Sequence, residues 1–115
     1  MLRLQSATDF ERVRRDGRSH AHPLAVLITS RRPVVGEPPP TRCGFAASKS
    51  VGGAVARNRA KRLLREAARA RAGDIAPGWD LIFIARAPLA QCKLNQAQEA
   101  VNNLLRRANV LKQDD

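Results

Sequence analysis

Apolar and polar positions separate most clearly between Ser48 and Arg69, in the stretch SKSVGGAVARNRAKRLLREAAR. At about 100° per residue, Ala56, Ala60, Leu63, Ala67 and Ala70 fall on one side of a helix, and Asn58, Lys61, Arg62, Arg65 and Arg69 on the other. The spacing predicts a helix that opens after Gly52 and Gly53 and closes at Gly73, a length of about five turns.

Other periods organise the rest of the chain. Ser6 and Asp9 suit a helix start, Phe10 and Val13 share its apolar side, and Gly17 ends it. Leu24 to Thr29 reads as a well-buried strand after Pro23, with His20 and His22 just ahead of it on one face of an extended segment. Arg31 to Thr41 holds four prolines and a glycine, which cannot sustain a ladder, so a mobile hairpin connection is expected there. Arg42 to Ser48 resumes as a strand, in which Gly44 suits the close approach of a helix or a ligand. Trp79 to Ala85 is apolar on both faces, the mark of a central strand covered on two sides. From Leu94 to about Leu111 the helical period returns, with Leu94, Ala97, Val101, Leu104, Leu105 and Ala108 on one side, before a tail at Asp114 and Asp115 that is expected to fray. The order helix, strand, strand, helix, strand, helix predicts a single α+β domain over residues 1–115, a two-layer sandwich of helices on a sheet. An interruption of the first long strand would add a further strand.

Charge changes this picture from a fold to a surface. Twenty-one basic residues against 10 acidic ones give a formal net charge of +11 and a pI near 11.5, which point to nucleic acid or an anionic membrane. Eight of the 23 residues from Lys49 to Arg71 are basic and one, Glu66, is acidic. Steps of four join Lys61, Arg65 and Arg69, and likewise Asn58 and Arg62, into one strip, with Arg57 and Arg59 on its flanks. Like charges this dense destabilise a helix without an anionic partner, and arginine forks match phosphate geometry. A second basic patch is expected from Arg12, Arg14, Arg15 and Arg18. With only Phe10, Phe45, Phe83 and Trp79 as aromatics, phosphate contact and shape should outweigh base stacking. No stretch has the length of a membrane span or the apolar core of a signal peptide, so a cytoplasmic protein without membrane contact is expected.

The chain offers little chemistry of its own. Asp9, Glu11, Asp16, Glu37, Glu66, Asp74 and Asp80 are scattered, with no close pair to hold a divalent metal, and no nucleophile with its base or phosphate loop stands out. Cys43 and Cys92 fit no ligand spacing and read as reduced, partly buried thiols. His20 and His22 lack a third ligand and read as solvent or phosphate contacts. No catalytic residue and no metal ligand is expected.

With these residues in view, the central stretch resembles the signature of the protein subunit of bacterial ribonuclease P, in which a Ser-Lys-x-Val-Gly turn leads into a basic helix opened by Arg-Asn-Arg, here Arg57, Asn58 and Arg59. Arg3, Leu4, Asp9, Phe10, Gly17, Arg18, Ser19, Gly44, Phe45, the strand from Asp80 to Arg86, and Pro88 extend the resemblance over nearly the whole chain. It implies an α/β sandwich with a left-handed βαβ crossover. It also implies a subunit that binds a catalytic RNA and, with magnesium ions held mainly by that RNA, promotes removal of the 5′ leader from precursor tRNA. Lys49, Arg57, Asn58, Arg59, Lys61, Arg62, Arg65 and Arg69 would face the catalytic RNA. A cleft between the first helix and the sheet, with Phe10, Arg14, Ile28 and Phe45, would take the leader, and the free protein would be monomeric.

The chain departs from that pattern at Ser50 and Gly53, where relatives commonly carry more positive or polar residues, and at Arg14 and Ile28, where aromatics are usual. Leader binding here is therefore expected to lean on charge. A ribosomal-protein-like structural module would share the charge and size, but the Ser-Lys-x-Val-Gly and Arg-Asn-Arg register argues for the ribonuclease P role. A major-groove DNA-binding helix would want a helix before the basic one, where this chain has a strand.

Overall fold

The structure, a computed structural model, describes residues 1–113, so the tail at Asp114 and Asp115 lies outside the described residues. Its elements are β1 (Leu2–Arg3), α1 (Ala7–Asp16), β2 (Arg18–Ala21), β3 (Ala25–Arg31), β4 (Arg42–Ala47), α2 (Ala54–Arg69), β5 (Trp79–Ala85) and α3 (Leu94–Ala108), with short 3-10 turns at Lys49–Val51, Ala72–Asp74 and Ala87–Gln91. The strands form one sheet in the order β1-β4-β5-β3-β2. β1 and β5 run parallel to β4, whereas β3 is antiparallel to both β5 and β2.

The α+β architecture is the expected one, with two strands more than the three read from the sequence. β2 pairs with β3 through the tight turn at His22, whose N–H and carbonyl bond the carbonyl and N–H of Ala25. Its outer edge is blunted where the Arg107 guanidinium donates to the Ala21 carbonyl at 2.6 Å. The proline-rich segment is not a hairpin connection, because β5 lies between β3 and β4 and the chain must cross it. Both ends of that segment are tied down. Arg32 N–H donates to the Gly78 carbonyl at 2.8 Å, Gly78 N–H to that of Pro39 at 2.7 Å, and the Thr41 hydroxyl to that of Ala76 at 2.6 Å.

β5 is the hinge of the core. Leu81, Phe83 and Ala85 point to α2 and α3, where they join Leu27, Cys43, Leu63, Leu64, Ala97, Val101, Leu104 and Leu105 in the larger cluster. Ile82 points the other way, to Leu4, Val13 and Ile28 under α1. Burying one such leucine, isoleucine or phenylalanine contributes roughly 1.5–3 kcal/mol, so the two clusters fix which face each strand residue occupies. α1 covers only half of its face. Val26 and Ile84 pack against the smaller cluster but stay half-exposed beyond the helix.

Helix ends follow local chemistry. α2 starts after Gly52, whose φ of 133° belongs to the region that favours glycine, and it stops at Ala70 rather than running to Gly73. Arg71 causes the early stop, since its guanidinium bonds Asp74 at 3.0 Å and Asn102 of α3 at 2.6 Å and so folds the chain into the 3-10 turn. α3 ends at Ala108, three residues before the limit read from the periodicity, Asn109 follows in the left-handed conformation, and Leu111 then bridges to Ile75.

Candidate RNA interface

The cations of α2 fall into three groups by their surroundings. Asn58, Arg62 and Arg69 are exposed, as is Lys49 in the turn before the helix. Arg57 and Lys61, one turn apart, lean toward β4 and are half-buried. Among the described residues none of Arg57, Lys61, Arg62 and Arg69 makes a salt bridge, and Glu66 does not neutralise the strip. Val55, 85% exposed, stands in the first turn beside this surface.

Arg59 works for the fold. Its guanidinium donates to the carbonyls of Ala90 at 2.5 Å and Cys92 at 3.0 Å, which fastens α2 to the segment leading into α3. Arg65 turns inward as well, its Cζ 5.7 Å from the centroid of the Phe45 ring, which stacks on Phe83 at 5.8 Å. The Arg65 Nε is buried without a protein partner. The sequence grouped all these cations by angle alone, and only the approach of residues distant in the chain separates them.

On the opposite face of the sheet, Phe10 and Ile28 come together under and beside α1. The Phe10 ring lies on Gly44 so closely that an added Cβ there would sit 2.5 Å from its Cζ, which is the close approach expected of that glycine. Arg14, exposed, is one turn beyond Phe10 and on the helix flank opposite Asp9. The uncovered half of the sheet forms a hollow of about 490 Å³ lined by Val26, Ile84, Ser48, Ser50, Arg86 and Pro88, and Arg14 does not line it. Its lining residues were missed in the sequence because each is an ordinary strand or turn residue. Phe45 does not belong to this cleft: strand alternation turns it to the α2 face, against Phe83.

The second basic patch shrinks on folding. Arg12 swings in to Asp80 at 2.5 Å and Arg15 pairs with Asp16 at 3.0 Å, leaving Arg14 and Arg18 outward. Asp80 is fully buried and also receives Arg42 through Nε and Nη2, each at 2.8 Å. Burial alone would raise its carboxyl, but the hydrogen bonds from Arg42 and Arg12 prevail and hold it below the ordinary value. Asp9 bonds Arg42 in turn at 3.3 Å. These groups lock α1 to the starts of β4 and β5.

The histidines also differ from expectation. His22 Nδ1 accepts the Leu24 N–H at 3.0 Å, and His20 packs with its Nε2 buried and unpartnered, held below its usual pKa first by burial and then by Arg107 and Arg18. Cys43 and Cys92 are free and buried, and burial pushes the Cys43 thiol up to about 12, which leaves it unreactive. A hollow of about 300 Å³ near Met1, Cys43, Ile75 and Lys112 therefore holds no activated nucleophile. Among the described residues no group of three or more His, Cys, Asp or Glu side chains converges as metal ligands would, and no helix is long and apolar enough to cross a membrane.

Comparison with known proteins identifies this arrangement. The family profile described as Ribonuclease P matches residues 1–109. The ribonuclease P protein component of Roseiflexus castenholzii is 44% identical over 113 residues, covering 96% of this chain and 88% of the relative, and that of Herpetosiphon aurantiacus is 45% identical over 108 residues, covering 94% and 85%. Among solved structures, the Staphylococcus aureus RNase P protein superposes with a TM-score of 0.82 at 31% identity over 97% of this chain and 99% of that one. The Thermotoga maritima RNase P protein, solved with 1-(4-fluorophenyl)-2-thiourea, gives 0.76 at 28% identity over 91% and 98%. A match over nearly all of each chain, in sequence and in fold, shows that this chain belongs to the ribonuclease P protein family.

Proposed function

We propose that the chain serves ribonuclease P as its protein subunit by presenting two RNA-binding faces on opposite sides of one sheet. The α2 face, with Lys49, Arg57, Asn58, Lys61, Arg62 and Arg69, takes the catalytic RNA. The half-covered α1 face, with Phe10, Arg14, Ile28 and the hollow beyond Ile84, takes the single-stranded 5′ leader of precursor tRNA. The observation that carries this reading is the unneutralised cation strip on α2 in the register of the family signature. A structural module of the ribosomal type would share the charge but not that register.

Chemistry is assigned to the RNA partner. The chain's buried carboxylate, Asp80, is already matched by arginines, and Asp9 faces one of them, so neither suits a magnesium ion. The protein's contribution is to offset phosphate repulsion between two RNAs and to hold the leader. Cleavage of precursor tRNA at low magnesium tests this with the protein alone, the matching catalytic RNA alone, and both. Cleavage that is far stronger in the mixture supports the subunit role. No gain on mixing, with RNA binding intact, favours a structural module, and cleavage by the protein alone would place chemistry on the chain.

A further inference from the structure

Beside the α2 strip lies a groove of about 390 Å³, within the range of roughly 300–1,000 Å³ typical of small-ligand clefts. It runs between α2 and β4 and is lined by Phe45, Ala47, Ala54, Arg57, Asn58 and Lys61. Phosphate contact alone does not require such a shape, since exposed cations such as Arg62 suffice for it.

Three observations give the groove a more particular occupant. First, β1 covers β4 only at Arg42 and Cys43, and the Leu4 N–H donates to the Cys43 carbonyl at 2.9 Å. By strand alternation the N–H and C=O of Phe45 and Ala47 therefore face the same open edge, which no strand occupies. Second, the exposed Asn58 adds an amide that both donates and accepts. Third, the Phe45 ring, held by its stacking on Phe83, supplies an aromatic wall to the groove. Paired donors and acceptors beside an aromatic wall, with Arg57 and Lys61 at hand for a phosphate, match a nucleobase edge on its sugar-phosphate rather than a bare anion.

We infer that this groove binds one unpaired nucleotide of the catalytic RNA, splayed out of its stack, and reads its base edge through Asn58 and the open edge of β4. The inference rests on the assignment of α2 to the catalytic RNA and adds a base-reading contact to a surface otherwise built for phosphates. A peptide strand added to the same edge is the competing occupant, but the flanking cations favour RNA.

The test uses full-length protein with its catalytic RNA, measuring affinity across a salt series and nucleotide-resolved 2′-hydroxyl reactivity. The variants are Asn58→Ala, at an exposed side chain, Phe45→Leu, Arg57→Ala and Arg62→Ala. Asn58→Ala is expected to weaken binding roughly tenfold without changing the salt slope, and to restore reactivity at a single unpaired nucleotide while the remaining footprint persists. Phe45→Leu should do the same wherever its melting curve stays native. Unchanged affinity and footprint in both variants, with the slope still lowered by Arg57→Ala, would overturn the nucleotide site while leaving the strip assignment standing. That result is also the one a peptide occupant would give. A reduced salt slope in Asn58→Ala would overturn it too, by marking a phosphate contact. An unaltered slope in Arg57→Ala and in Arg62→Ala would remove the catalytic RNA from α2, and the inference with it.

Discussion

Arg57 and Arg59 belong to one triplet, yet the carbonyls of Ala90 and Cys92 claim only the second. Charge-assisted hydrogen bonds of this kind contribute about 1.5–3 kcal/mol each, so Arg59→Ala should lower the melting temperature of the free protein by several degrees while leaving the salt slope of RNA binding near that of the parent. Arg62→Ala should do the reverse, keeping the melting temperature and flattening the slope by about 0.7–0.9. Calorimetry and salt-dependent titration on the same samples would read both. Nothing in the sequence separates these arginines, because helical angle places both on the flanks of the strip and the deciding carbonyls lie some thirty residues away. The exposed cations were legible for the opposite reason: what marks Arg62 and Arg69 is spacing along a single helix, which the sequence carries directly. Phe45 was misplaced since its face depends on strand register, fixed by its pairing with Phe83.

Among the elements, α1 depends most on one residue outside it. Asp80 draws Arg12 down from the helix and Arg42 across from β4, and the carboxyl is depressed by these partners. A depressed carboxyl stabilises the fold above its unfolded pKa and loses that contribution as the pH falls through its folded value. Asp80→Asn should accordingly cost about 3 kcal/mol near neutral pH, or roughly 10 °C in melting temperature for a chain of this size. The gap between variant and parent should begin to narrow below about pH 4 and close only as the pH falls through the depressed folded value. Thermal melts across that range check the sign as well as the size. The central strand β5 was plain in the sequence because its apolar run covers both faces, and the basic helix because its period runs for many residues. β2 was not, since Arg18–Ala21 has no apolar alternation and exists by pairing with β3. The proline-rich crossing over β5 was equally hidden, because the strand that separates β3 from β4 enters the chain only after α2.

Across the molecule, positive charge is in excess while most of the ion pairs gather around Asp80 and at the chain ends of α1 and α2. Repulsion along α2 is thus borne by the free protein, and salt should screen it more than it weakens the partly buried pairs. The melting temperature of the free protein is expected to rise by a few degrees between low and moderate ionic strength, and a fall would mean that exposed pairs dominate. The sheet that separates the two proposed RNA faces has a further consequence. Gly44, under Phe10, and Phe45, beside α2, are consecutive residues facing opposite sides. Because successive side chains of one strand point to opposite faces of the sheet, the separation of the two bound strands is a fixed gauge that loop length cannot adjust. A one-residue deletion within Arg42–Ala47 would exchange the addresses of both strands at once, so β4 should tolerate substitution far better than any change in its length.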